Sequence, residues 1–184
     1  EMFENTERDA WQKPEVVLAH MQLQPGDVVA DIGAGTGYFT RRFAETVGAD
    51  GMALGLDVEA SMVAYMKADA RQRGLKNYTT RQVKPSDPQL DPQSMDVIFI
   101  CDTYHHIPDR VDYVRTLASA LRAGGRVIVV DFNDKPAPFG PPPEWKLSAE
   151  TITQEFQQAG LQLARSVDFL PYQYFLEFTR ASTE

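Results

Sequence analysis

The sequence predicts an α/β fold: a seven-stranded, mostly parallel sheet with helices on both faces and a C-terminal antiparallel hairpin. Three observations predict it. From residue 28 onward, strand-sized apolar runs alternate with helical patterns, the mark of parallel βαβ units. The first run ends in alternating glycines, Gly33, Gly35 and Gly37, before a helical pattern begins. Such a strand–turn–helix sets backbone N–H groups beside a ligand. The last two runs are joined by a short turn around Pro171, too short for a crossover, so they pair antiparallel.

The elements follow in order. Residues 1–13 are largely polar and read as an N-terminal arm on one domain spanning 1–184. Pro14 can start a helix with Val16, Val17, His20 and Met21 as a loose apolar face. Strand 28–32 is followed by a helix over 37–47, a buried strand over 51–57 and a helix over 59–73, which Gly74 stops. Strands over 78–83 and 95–101 flank a proline-containing loop. The second lacks alternation and is therefore buried on both faces. A helix over 109–121 ends at Ala123-Gly124-Gly125, read as a stop and turn before strand 126–132. A proline-rich loop over 133–145 precedes Ser148, an N-cap for helix 149–159. Strands over 161–169 and 172–178 close the sheet, the second with Tyr172, Tyr174, Leu176 and Phe178 alternating.

Composition narrows the function. The net charge of −8 opposes a large nucleic-acid surface, because phosphate binding needs clustered Lys and Arg. One cysteine, Cys101, excludes an internal disulfide and a cysteine-cluster metal site, and no metal is expected. No apolar run approaches the ~20 residues of a membrane span. A small-molecule substrate and a monomeric or weakly homodimeric chain are expected. The chain begins at Glu1, which leaves room for a segment upstream, and no signal segment is visible.

The glycine turn holds the sharpest signal. Gly33 and Gly35 fit the dinucleotide fingerprint, but its third glycine position holds Tyr38. Asp31 stands two residues before the first glycine. A pyrophosphate would face that carboxylate anion to anion. S-adenosylmethionine (SAM), with its ammonium and sulfonium, suits it better. The order Asp-x-Gly-x-Gly-x-Gly resembles the first motif of class I SAM-dependent methyltransferases. The resemblance runs from Pro14 to Phe178, and the chain is similar to the small methyltransferases related to ubiquinone/menaquinone-biosynthesis C-methyltransferases.

That resemblance implies a Rossmann-like class I methyltransferase fold with SAM as cofactor and S-adenosylhomocysteine as product, in the cytoplasm where SAM is made. It implies ligand contacts at Asp31, Gly33, Gly35 and Gly37. Asp57 matches the acidic residue that bonds the ribose hydroxyls, and Val58 would pack on adenine. Ser86 or Asp87 would meet the adenine amino group, Cys101 closes the strand beneath the cofactor, and Trp11–Pro14 would fold over the cofactor as the arm before the first strand. The segment Asp102-Thr103-Tyr104 departs from the Asn/Asp-Pro-Pro-aromatic pattern of nucleobase amino-methyltransferases, against nucleobase chemistry. Asp102, His105 and His106 are the candidate catalytic residues, since imidazole titrates near neutral pH. The histidine doublet has a structural alternative, holding the loop after strand 95–101. A SAM-binding protein of this fold without efficient catalysis is the alternative function.

Overall fold

A computed structural model describes residues 6–181, with side chains from residue 8. Its elements are α1 (Thr6–Gln12), α2 (Pro14–Met21), β1 (Val28–Ile32), α3 (Thr40–Val47), β2 (Met52–Asp57), α4 (Ala60–Arg73), β3 (Tyr78–Gln82), β4 (Met95–Cys101), α5 (Arg110–Ala120), β5 (Leu121–Phe132), α6 (Ala149–Gln158), β6 (Leu161–Val167) and β7 (Gln173–Arg180). The seven strands form one sheet in the order β3-β2-β1-β4-β5-β7-β6. The first five are parallel, while β7 runs antiparallel between β5 and β6. The chain moves outward from β1 to β3 and then returns to place β4 beside β1. That reversal opens a crevice at the carboxyl ends of β1 and β4, where open α/β sheets bind ligands.

Two apolar layers cover the sheet. On one face Val17, Met21, Phe43, Val47 and Met66 of α2–α4 pack on Val29, Val97, Phe99 and Ile128. On the other, Val114, Leu117, Ile152 and Phe156 of α5 and α6 pack on Ile98, Ile100, Val127, Val129 and Phe178. Among the described residues no helix is long and apolar enough to cross a membrane.

Four expectations change. Residues 1–5 of the expected arm lie outside the described residues, but its remainder is the helix α1, ending in the fully buried Gln12. α3 begins at Thr40, and Gly37 at its expected start holds a φ of +78°, which a right-handed helix forbids. The Arg41 N–H nonetheless already bonds the Gly37 carbonyl at 3.1 Å. The Gly124-Gly125 turn survives as a bulge inside β5: Leu121 pairs with Met95 and Arg126 with Val97, and the residues between loop out. β7 does not alternate. Gln173, Tyr174, Phe175 and Leu176 are all buried, because neighbours on both edges and layers on both faces enclose the strand.

Ser148 caps α6 as expected, its hydroxyl accepting from the Thr151 N–H at 3.0 Å.

Candidate active site

Acidic side chains gather at the carboxyl ends of β1, β2, β4 and β5: Asp31, Asp57, Asp102 and Asp131. Asp31 is buried and accepts from the Thr40 hydroxyl at 2.6 Å. Burial pushes its carboxyl up to about 7, against the pull of the Thr40 bond and the Arg8 guanidinium. A buried acid held this way favours a cation beside it.

Asp57 ties the turn to the second strand. Its Oδ2 accepts from the Gly35 N–H at 2.8 Å, and its Oδ1 from the Glu59 N–H at 2.9 Å, at the start of α4. An ionised carboxylate has about four acceptor directions, so two are left over. Val58 beside it is 42% exposed, an open apolar face at the crevice.

The three glycines have different reasons to be glycine. A Cβ on Gly33 would fall 2.3 Å from Thr103 Oγ1, and one on Gly37 would fall 1.8 Å from the Tyr78 hydroxyl. A Cβ on Gly35 would meet nothing within 4 Å. Gly33 and Gly37 therefore serve packing, and Gly35 borders open space at a φ of +56°.

Ser86 and Asp87 lie exposed on the turn beyond β3, and Asp87 Oδ1 accepts from its own loop at the Gln89 N–H, 2.8 Å away. Cys101 ends β4 with its Sγ 3.6 Å from Gln12 Nε2 and 3.6 Å from Asp102 Oδ2. Burial raises that thiol, with the Asp102 charge adding to it, so it stays protonated and unreactive.

Asp102 follows β4 at a φ of +53°, a left-handed conformation that a non-glycine residue adopts at a cost and often at functional sites. Its N–H donates to the Val130 carbonyl at 2.9 Å, and its Oδ1 accepts from Gln173 Nε2. Gln173 in turn accepts from Gln12 Nε2 at 2.6 Å. Burial, and next the charge of Asp131, push the Asp102 carboxyl up to about 7.

The histidines occupy a 3₁₀ turn, Tyr104–His106. Their rings lie 4.2 Å apart by centroid, neighbours despite being consecutive. His105 Nδ1 meets Asp131, with both side chains almost fully enclosed. His106 is exposed and meets Trp145 of the proline-rich loop edge-on at 5.5 Å. Partial desolvation against its neighbours lowers its pKa, with the adjacent His105 adding to it. Beneath the turn, the Tyr104 hydroxyl donates to Glu155 at 2.8 Å, and Arg110 holds the same carboxylate in a two-pronged ion pair.

The proline-rich loop forms one wall of a groove of about 1010 Å³ whose lining includes Phe139, Lys146, Gln173 and Tyr174. Phe139 packs on Trp11 at 4.4 Å and on Tyr172 at 5.4 Å. Gln173 connects this groove to Asp102.

Sequence reasoning missed Asp131, Gln173, Thr40 and Arg8; Gln12 lies in the Trp11–Pro14 segment expected to fold over the ligand, but its partner across the sheet was not foreseen. Asp131 could have been found by the strand-end rule that selected Asp31 and Asp57. Gln12 and Gln173 meet across 161 positions, and no local pattern marks such a contact.

A family model described as "Methyltransferase domain" matches residues 23–168. The chain is similar to a ubiquinone/menaquinone biosynthesis C-methyltransferase of Bdellovibrio bacteriovorus, 31% identical over 71% of this chain and 54% of that protein. It is also similar to a 27-O-demethylrifamycin SV methyltransferase of Amycolatopsis mediterranei, 33% identical over 65% of this chain and 44% of that protein. The chain spans about half the length of the curated relatives it matches. A solved SAM-dependent methyltransferase from Aquifex aeolicus shares the fold with a TM-score of 0.91, at 24% identity over 96% of this chain and 94% of that one.

Proposed function

Because the chain belongs to the methyltransferase-domain family, we propose that it transfers a methyl group from SAM to a small-molecule acceptor. The observation that carries this reading is the pairing of buried Asp31 with the open space over Gly35. A cationic ligand lying close to that backbone satisfies both. The two relatives described above are named for a quinone pathway and a rifamycin precursor, which supports a small acceptor.

In this reading Asp31 holds the ammonium of the methionine moiety, and the turn backbone at Gly33–Gly37 lies along it. Asp57 accepts from the ribose hydroxyls with its remaining lone pairs. Val58 packs on adenine, and the Ser86–Asp87 turn borders the amino group. Cys101 lines the floor as a neutral thiol. SAM supplies an already activated methyl group on a sulfonium.

The protein then has to align an acceptor and exclude water. The groove beside Gln173 is the acceptor's place. Asp102, held by Gln173, is the candidate base for acceptors that must lose a proton, since a carboxyl titrating near 7 suits that task. His105 holds the loop against β5 through Asp131, and His106 forms the rim. The site works in the cytoplasm, where SAM is available.

The test is release of S-adenosylhomocysteine from SAM against a panel of phenols, enols, amines and carboxylic acids. Turnover with any class supports the reading. Binding of SAM without release against every class would favour a binding protein of this fold.

A further inference from the structure

Two buried amides stand between helix α1 and Asp102. Gln12 of α1 and Gln173 of β7 are fully enclosed, a setting in which an amide has to find its partners inside the protein. Among the contacts of Arg8, its Nε donates to Gln12 Oε1 at 3.3 Å, one helical turn on. Gln12 Nε2 donates to Gln173 Oε1 at 2.6 Å and lies 3.6 Å from Cys101 Sγ. Gln173 Nε2 donates to Asp102 Oδ1.

The two ends fix the direction of this row. A guanidinium only donates, so Gln12 turns its oxygen to Arg8 and its NH₂ to Gln173. An ionised carboxylate only accepts, so Gln173 turns its NH₂ to Asp102. Both requirements give the same orientation of both amides. Every donor then points toward Asp102, and hydrogen bonds in series polarise one another. Donation to the charged form of an acid favours that form.

The surroundings oppose it. Asp102 is enclosed at the end of β4 and faces the Asp131 carboxylate of β5, which His105 of the following turn holds. Tyr174 of β7 is close enough to feel both carboxylates. Cys101 Sγ, a weak donor, lies 3.6 Å from Asp102 Oδ2. From α1 the Arg8 charge favours the ionised acid. Asp102 itself stands at a φ of +53°, so its side chain needs a fixed partner to keep one direction.

We propose that Gln173 and, through it, Gln12 are positioning residues that hold Asp102 ionised and aimed. With Oδ1 occupied by Gln173, Oδ2 is the oxygen left to take a proton from an acceptor. This deepens the reading of Asp102 as the base, and its consequence for turnover rests on that reading. It makes α1 a determinant of the base after β4.

The experiment follows Asp102 itself. In protein isotope-labelled at its aspartate carboxyl carbons, NMR reads the titration of each carboxyl, and Asp102→Asn assigns the signal. Gln173→Met and Gln12→Met keep the side-chain length and remove the amide. Gln173→Met should raise the Asp102 titration by about one pH unit, the loss of a charge-assisted donor. Gln12→Met should raise it by less, because Gln173 still donates but is no longer held. Should Gln173→Met fail to fold, Gln12→Met decides alone. The double variant should titrate like Gln173→Met, because Gln12 acts through Gln173. An unchanged or lowered titration in either folded single variant would overturn the proposal. So would shifts that add in the double variant, because Gln12 would then act by another route. The rise of kcat/KM with pH should move with the carboxyl in each variant. A carboxyl titration that moves while the turnover profile stays would uphold the positioning and overturn the base reading.

Discussion

His105 Nδ1 lies 3.0 Å from each carboxylate oxygen of Asp131, and the two side chains are only 3% and 4% exposed. That geometry fixes the ring's orientation and pins the turn after β4 to the end of β5. Removing the ring leaves the buried carboxylate with the Phe132 N–H at 2.8 Å and without its side-chain partner. His105→Ala should cost about 2–3 kcal/mol of stability, the penalty of an unpaired buried charged group. His106→Ala should stay within about 0.5 kcal/mol, as an exposed side chain would. Denaturant melts of the two variants check this. Equal, small losses would remove the structural role of His105.

With Asp102 as the proposed base, turnover should depend on pH. Its carboxyl titrates at about 7 because it is buried and faces Asp131. A base works only when deprotonated, so kcat/KM should rise with pH through about 7 for an acceptor that must lose a proton. Asp102→Asn should remove that limb and lower the rate about 10²–10⁴-fold, with SAM affinity little changed. A profile flat between pH 5 and 8 in wild type would exclude Asp102 as the base.

With Asp31 proposed to hold the cofactor's ammonium, SAM binding should depend on pH. Its carboxyl sits at about 7 without a ligand, mainly through burial. An ammonium beside it favours the charged form, so the bound value is lower. Binding therefore releases a proton, and SAM affinity should rise from pH 5 to pH 8. Calorimetry in phosphate and in Tris should give apparent enthalpies that differ by the proton released. Asp31→Asn should bind more weakly and lose both effects.

Most of the fold and part of the candidate site are legible in the residues alone. Strand-sized runs and helical spacing predict the alternation of β and α, and the short Pro171 turn predicts the antiparallel hairpin. Asp31 and Asp57 are legible because they stand at strand ends beside a glycine turn. The rest depends on contacts distant in sequence. Gln12 reads as part of a polar arm until Gln173 is found against it. Gln173 reads as an outward strand residue until Gln12 of α1 is found against its face. Gly124-Gly125 reads as a terminator because nothing local shows that Leu121 already pairs with Met95.

The glycines separate packing from binding. Gly35→Ala adds a Cβ in open space with some backbone strain, so the variant should fold and fail to bind SAM. Gly37→Ala drives a Cβ into the Tyr78 hydroxyl and should unfold at a lower temperature. Tyr78→Phe removes that hydroxyl and should partly restore Gly37→Ala. Circular dichroism melts and a SAM titration of each variant read the two effects apart. A Gly35→Ala protein that binds normally would contradict the placement of the ligand.

The most direct measurement is a calorimetric titration of SAM into wild type and Asp57→Ala at pH 8. The account predicts micromolar binding to wild type, roughly −8 kcal/mol. It predicts a loss of about 1–3 kcal/mol in Asp57→Ala, from ribose hydroxyls left without an acceptor. No binding to folded wild type, or equal affinity in the two proteins, would contradict it.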